Sequence, residues 1–130
     1  MTGDRSTEGV NPLASRLDVV STLAWLEAMH ADGQAAFAAV RRALPDITQL
    51  ADQVAETLSQ GGRLILAGAG TSGRLAALEA AECPPTFGTD PTSIVTLVAG
   101  GPDALSRAVE GAEDDKSAGE RDLLKLHPDA

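Results

Sequence analysis

Leu64-Ile-Leu-Ala67 runs directly into Gly68-Ala-Gly70-Thr-Ser-Gly73-Arg-Leu75, and this junction decides the fold. A short apolar run bounded by glycine reads as a buried strand, here Arg63–Ala67. The glycine-rich turn after it carries two hydroxyls and opens a helix, expected over Gly73–Cys83. Backbone N–H groups exposed at the positive end of a helix dipole make an anion site. The helix is expected to end at Glu82 and Cys83, against the stop Pro84-Pro85. A carboxylate and an anion cradle in one short unit point to chemistry on a phosphorylated small molecule.

Working outward, Ser93–Ala99 reads as a second strand, and Pro102–Glu110 and Ala118–Leu126 as helices. Strand, helix and strand in this length form a βαβ unit, which implies a parallel sheet. Parallel sheets are covered on both faces and normally have four or more strands. Only two are legible here, so the expectation is the front part of a longer protein. Towards the N-terminus, a polar arm is expected up to Asn11-Pro12. A first helix is expected over Thr22–Ala31, with Leu23, Leu26 and Met29 on one stripe. A second covers Gln34–Leu44, stopped by Pro45, with Phe37, Val40 and Leu44 facing inward. Pro45 then suits the first turn of a third helix bearing Ile47, Leu50, Val54 and Leu58, which Gly61-Gly62 end. The chain divides into an arm and helical region, 1–60, and a partial α/β domain, 61–130, the first half of a parallel-sheet αβα layer structure.

With 130 residues the chain is long enough for one real core rather than two. Aromatic residues make up only 2%, so alanine, leucine and valine must build that core, which favours closely packed helices over a β-sandwich. A formal net charge of −9 argues against nucleic acid or an anionic membrane as partner. One cysteine cannot form an internal disulfide, and the polar start Met1-Thr-Gly-Asp-Arg-Ser-Thr-Glu8 has no apolar signal core. No apolar run approaches membrane-spanning length. A soluble cytoplasmic protein is expected.

Gly68-x-Gly70-x-x-Gly73 also fits the dinucleotide fingerprint, which needs an acidic residue at the tip of the second strand to hold the ribose hydroxyls. That strand ends Leu97-Val-Ala-Gly-Gly101 without a carboxylate, and Asp103 lies beyond the turn. A dinucleotide is therefore disfavoured. His30 and His127 are isolated and make no metal site. Cys83, between Glu82 and Pro84, reads as a small core residue, and Trp25 as packing. Glu113 stands beside Asp114 and Asp115, a run whose residues alone read as a solvated face.

Longer runs carry a resemblance. Gly68-Ala-Gly-Thr-Ser-Gly-Arg-Leu75, Glu82-Cys-Pro-Pro-Thr-Phe-Gly88, Ala99-Gly-Gly101 and Ala108-Val-Glu-Gly-Ala-Glu-Asp-Asp115 resemble the N-acetylmuramic acid 6-phosphate etherases of the sugar-isomerase (SIS) fold. Thr7-Glu8, Asn11-Pro12, Leu17-Asp18 and Ser21-Thr-Leu23 match the family's opening, so the likeness spans nearly the whole chain. It implies a lyase of amino-sugar catabolism and cell-wall recycling that needs no metal or other cofactor. The substrate would lose its D-lactyl ether to give N-acetylglucosamine 6-phosphate and D-lactate.

By the same resemblance the catalytic pair is Glu82 and Glu113. Glu82 is expected to protonate the departing lactate oxygen and then to activate water, with Glu113 as base at the sugar's C2. Gly70, Thr71, Ser72 and Gly73 are expected to hold the phosphosugar. Arg74 is expected to meet either a phosphate or a nearby helix carboxylate. The resemblance also implies a homodimer in the full-length form, and the family's second phosphate loop has no counterpart here. Departures from the family pattern are Glu79, Leu66-Ala67 and Ala24, the last removing the glutamate of a Ser21-x-x-Glu capping box. A non-catalytic reading stands beside this one: a sugar-phosphate-binding regulatory module of the same fold, as in the glucokinase regulatory proteins.

Overall fold

The computed structural model describes residues 14, 16 and 18–128. The expected arm and the motif positions Thr7, Glu8, Asn11, Pro12 and Leu17 lie outside the described residues. The chain divides into two compact units, Met1–Gln49 and Leu50–Ala130.

A single helix, α1, spans Thr22–Ser59, where the hydrophobic spacing suggests three. Alanines at 31, 35, 36, 38, 39 and 43 supply strong helix propensity, enough to carry Gly33 and Pro45 inside the helix. Proline removes one N–H, which deprives the Arg41 carbonyl of its helical donor. Arg41 is exposed, so water can satisfy that carbonyl. One turn on, the Thr48 hydroxyl donates to the Leu44 carbonyl at 2.8 Å. The N-terminus keeps half of the capping box, with the Ala24 N–H donating to Ser21 Oγ at 3.2 Å. No residue of α1 is buried. Phe37, Val40 and Leu44 are therefore exposed rather than inward-facing, Phe37 by 81%.

The second unit is built on a parallel pair, β1 (Leu64–Gly68) and β2 (Ile94–Val98), in register from Leu64 opposite Ile94 to Gly68 opposite Val98. Flanking bonds extend the ladder, Leu64 N–H to Ser93 O at 2.8 Å and Ala99 N–H to Gly68 O at 3.0 Å. The crossover is α2, Gly70–Phe87, packed against both strands. It passes through Pro84 and Pro85, which do not stop it as expected. The stop is Gly88, in the left-handed region at φ 68°, whose N–H donates to Pro84 O at 2.9 Å. A proline near a helix C-terminus removes a donor without forcing the left-handed turn that ends the helix.

Beyond β2 the expected helix Pro102–Glu110 is a four-residue 3-10 turn, Pro102–Leu105. A second 3-10 turn covers Ala112–Asp114, and α3 follows at Lys116–Lys125. Arg63, just before β1, donates to the carbonyls of Leu126 and His127 and so ties the end of α3 to the start of the sheet. No helix among the described residues is long and apolar enough to cross a membrane. Burial is sparse: among the described residues Ala104, at 4% exposure, is the buried hydrophobic residue, and Gly73 is the buried residue of α2.

Two substitutions probe this packing. A Cβ on Gly73 would lie 2.6 Å from the Gly68 carbonyl oxygen and 2.9 Å from Val98 Cγ1. Gly73→Ala should therefore cost about 3 kcal/mol, at the upper end of overpacking penalties, measured by urea unfolding. Asp90 organises the entry to β2, accepting from the Thr92 N–H at 2.7 Å and the Thr92 hydroxyl at 2.6 Å. The Thr92 hydroxyl, and then its N–H, hold the Asp90 carboxyl below its ordinary value of 3.8. A depressed folded-state pKa stabilises above the ordinary value and is lost as pH falls through the folded one. Asp90→Ala should thus lower Tm at neutral pH and lower it less on acidification, read by thermal melts of both proteins from about pH 7 to about pH 2.

Candidate functional site

The helix α2 starts at Gly70 with Ala69 as its N-cap, a residue whose side chain has nothing to offer the first turn. Neither Thr71 nor Ser72 caps it, since both already lie within the helix. The Gly73 N–H donates to the Ala69 carbonyl at 3.3 Å and begins the helical ladder. An α-helix leaves its leading N–H groups without helical partners, so those of Gly70, Thr71 and Ser72 point outward from the positive end of the dipole. Gly70 sits at φ +53° with open space where a Cβ would stand.

That open space is the mouth of a cleft of about 200 Å³ at the carboxyl ends of the strands. One wall is Ala69, Gly70, Thr71 and Arg74 from the start of α2. The opposite wall is Ala104 and the run Ala108–Glu113, with Ala99 of the β2 exit at the base. Open parallel sheets bind ligands in such crevices, beyond the carboxyl ends of their strands. Glu113, an exposed residue, therefore lines the same cleft as the glycine-rich turn, although the two are far apart in sequence. Of the acidic run, Asp115 serves a separate purpose, since its Oδ1 accepts the Ala118 N–H at 2.9 Å and caps α3.

A second groove of about 450 Å³ is also lined by Glu113. It runs along Gly68, Leu97, Val98 and Gly100 to Ala118, Gly119 and Asp122 of α3. Asp122 accepts from Lys125 Nζ at 2.7 Å, and this hydrogen bond holds its carboxyl below the usual range. Glu113 thus lines both depressions.

The expected residues divide accordingly. Gly70, Thr71 and Glu113 meet at one cleft. Ser72 is exposed on the first turn of α2, and Gly73 is buried against Gly68 and Val98. Glu82 is exposed on α2 about three turns beyond Thr71, roughly 16 Å along the axis, and does not line the cleft. It lies inside the helix rather than at its expected end. Cys83 beside it is half-buried. Arg74 lines the cleft, but its hydrogen bonds go to main-chain carbonyls rather than to a carboxylate: Nε donates to Ala104 O at 2.9 Å and Nη2 to Arg107 O at 3.0 Å. Sequence reasoning missed Glu110 as a cleft residue, though it opens the same Glu-Gly-Ala-Glu run that drew attention to Glu113. No cluster of three metal-ligating side chains occurs among the described residues.

Residues 46–130 match the family model described as the glucokinase regulatory protein N-terminal SIS domain. Over 120 residues, 92% of this chain, the sequence is 51% identical to the N-acetylmuramic acid 6-phosphate etherase of Pasteurella multocida (strain Pm70). The etherases of Yersinia pestis (strain Pestoides F) and Yersinia pseudotuberculosis serotype O:1b (strain IP 31758) match at the same identity and coverage. The match spans 40% of the Pasteurella protein and 41% of each Yersinia protein.

The cleft geometry sets an expectation for Gly70. Gly70→Ala meets no atom, so its cost is the left-handed backbone alone, about 1–2 kcal/mol. Equilibrium unfolding should show that loss, smaller than for Gly73→Ala. A larger loss would mean that Gly70 is packed rather than open.

Proposed function

We propose that this chain, which belongs to the glucokinase regulatory protein N-terminal SIS domain family, supplies the N-terminal part of an N-acetylmuramic acid 6-phosphate etherase. Residues 1–60 form its arm and helical region, and 61–130 part of its phosphosugar-binding domain. The observation that carries the reading is the cleft that Glu113 lines together with Gly70 and Thr71. It is supported by the 51% identity to proteins named as etherases.

The chemistry requires this juxtaposition. In the open-chain sugar, the C1 aldehyde acidifies the C2 hydrogen. Glu113 removes that proton, and the C3–O bond breaks as lactate leaves. A second acid must protonate the departing ether oxygen, and its conjugate base then delivers water to C3 of the unsaturated aldehyde. Reprotonation at C2 completes a net addition of one water, giving N-acetylglucosamine 6-phosphate and D-lactate. The two groups need opposite protonation states at the start, the usual division of an acid–base pair. We assign the second role to Glu82. Because Glu82 stands away from the cleft of its own chain, the reaction needs an assembly that brings it to a substrate, and the proposed homodimer is that assembly. The outward N–H groups of Gly70, Thr71 and Ser72 suit the sugar phosphate. We place the protein in the cytoplasm, acting on sugars from cell-wall recycling.

One observation favours a second reading. The matched family model is named for a regulatory protein, so the domain would bind a sugar phosphate without turnover. A chimera in which this chain replaces the matching part of the Pasteurella etherase separates the two. Lactate release from N-acetylmuramic acid 6-phosphate is expected of the chimera and not of the 130-residue chain alone. Glu113→Gln in the chimera should lower it by about 10²–10⁴-fold and abolish solvent exchange of the C2 hydrogen. Glu82→Gln should lower release comparably while exchange persists. Binding of the substrate without release, in a folded chimera, would favour the regulatory reading.

A further inference from the structure

Glu113 reaches the cleft at the end of a poorly supported path. Between the 3-10 turn Pro102–Leu105 and the one at Ala112–Asp114 the chain has no regular structure. Gly111, at φ 73°, sits in open space immediately before the second turn. Something must hold residues 104–112 against the sheet for Glu113 to have a defined place.

Two features do so. Ala104, nearly fully buried, and Val109 lie against Gly100 at the exit of β2. Across from them Arg74, on the second turn of α2, sends Nε to the Ala104 carbonyl and Nη2 to the Arg107 carbonyl. These bonds join positions 30 and 33 residues apart in sequence. A planar guanidinium can donate to two carbonyls from fixed directions, which a lysine ammonium cannot reproduce. The Arg107 side chain is occupied elsewhere, paired with Asp103. Arg74 thus directs Nε and Nη2 at the protein's own backbone. The chain segment it grips leads directly to Glu113.

We propose that Arg74 is a positioning residue for Glu113: its fork fixes residues 104–107 to α2 and thereby holds Glu113 at the cleft it shares with Gly70 and Thr71. The catalytic part of this statement rests on the etherase reading; the structural part does not. The test uses Arg74→Lys and Arg74→Met. Hydrogen exchange on the 130-residue chain should show amides of residues 104–113 exchanging at least about tenfold faster in both variants, the scale of losing charge-assisted bonds. Amides of β1 and β2 should stay within about threefold of the parent. In the chimera both variants should lower kcat by more than tenfold with KM changed less than threefold, because the base is misplaced while the N–H cradle is intact.

Unchanged exchange over 104–113 overturns the proposal, and so does equal acceleration throughout the sheet, which would make Arg74 a general stabiliser. A raised KM with kcat preserved also overturns it, by making Arg74 a substrate ligand. Failure of the etherase reading is seen separately, as a parent chimera that releases no lactate. The exchange data on the chain then decide the proposal in its structural form.

Discussion

The turn after β1 is governed by two backbones that meet with no side chain between them. Gly73 lies so close to Gly68 and Val98 that a Cβ on either Gly68 or Gly73 would come within 2.7 Å of the opposing main chain. This approach seats the first turn of α2 directly over the end of the parallel pair. It follows that the leading N–H groups of the helix open beyond the strand tips rather than over the face of the sheet. Ala69, with no group to cap them, leaves them available. The cleft, the neighbouring groove and the place of Glu113 all depend on this contact.

Much of that arrangement is legible in the residues. The parallel pair follows from local signals, apolar runs of strand length and glycine punctuation, whereas α3 begins at Lys116, two residues before the expected Ala118, because Asp115 caps it. The sequence misleads where proline is given more authority than it has. Pro45 and the pair Pro84-Pro85 stand inside helices, because alanine-rich surroundings and solvent access offset a lost donor. The terminating signal of α2 is Gly88, whose left-handed backbone ends a helix in a way that a missing N–H does not. At Pro102–Glu110 the error is the opposite, since the expected helix stops after the four-residue 3-10 turn Pro102–Leu105.

The site is only partly legible for a different reason. Gly70 and Thr71 announce themselves through the turn they form. Glu113 carries no local sign, because its neighbours Asp114 and Asp115 share its chemistry and Asp115 serves only to cap. What distinguishes Glu113 is a long-range closure, made by Arg74 and by the packing of Ala104 and Val109, which no periodicity encodes. From its residue type Arg74 reads as a partner for phosphate or carboxylate. Its actual partners are main-chain carbonyls, which side-chain identities do not reveal.

The double proline has a mechanical side. Pro84 and Pro85 bring no N–H, so the carbonyls of Ala80 and Ala81 lack the donors that would otherwise join them to the next turn. Glu82 lies between these loosened carbonyls and the prolines. Flexing the helix at this point breaks fewer bonds than flexing it earlier, and missing ladder bonds are a usual cause of helix bending. Glu82, which does not line the cleft, is therefore mounted beside two missing ladder bonds in a helix whose other end is locked glycine against glycine.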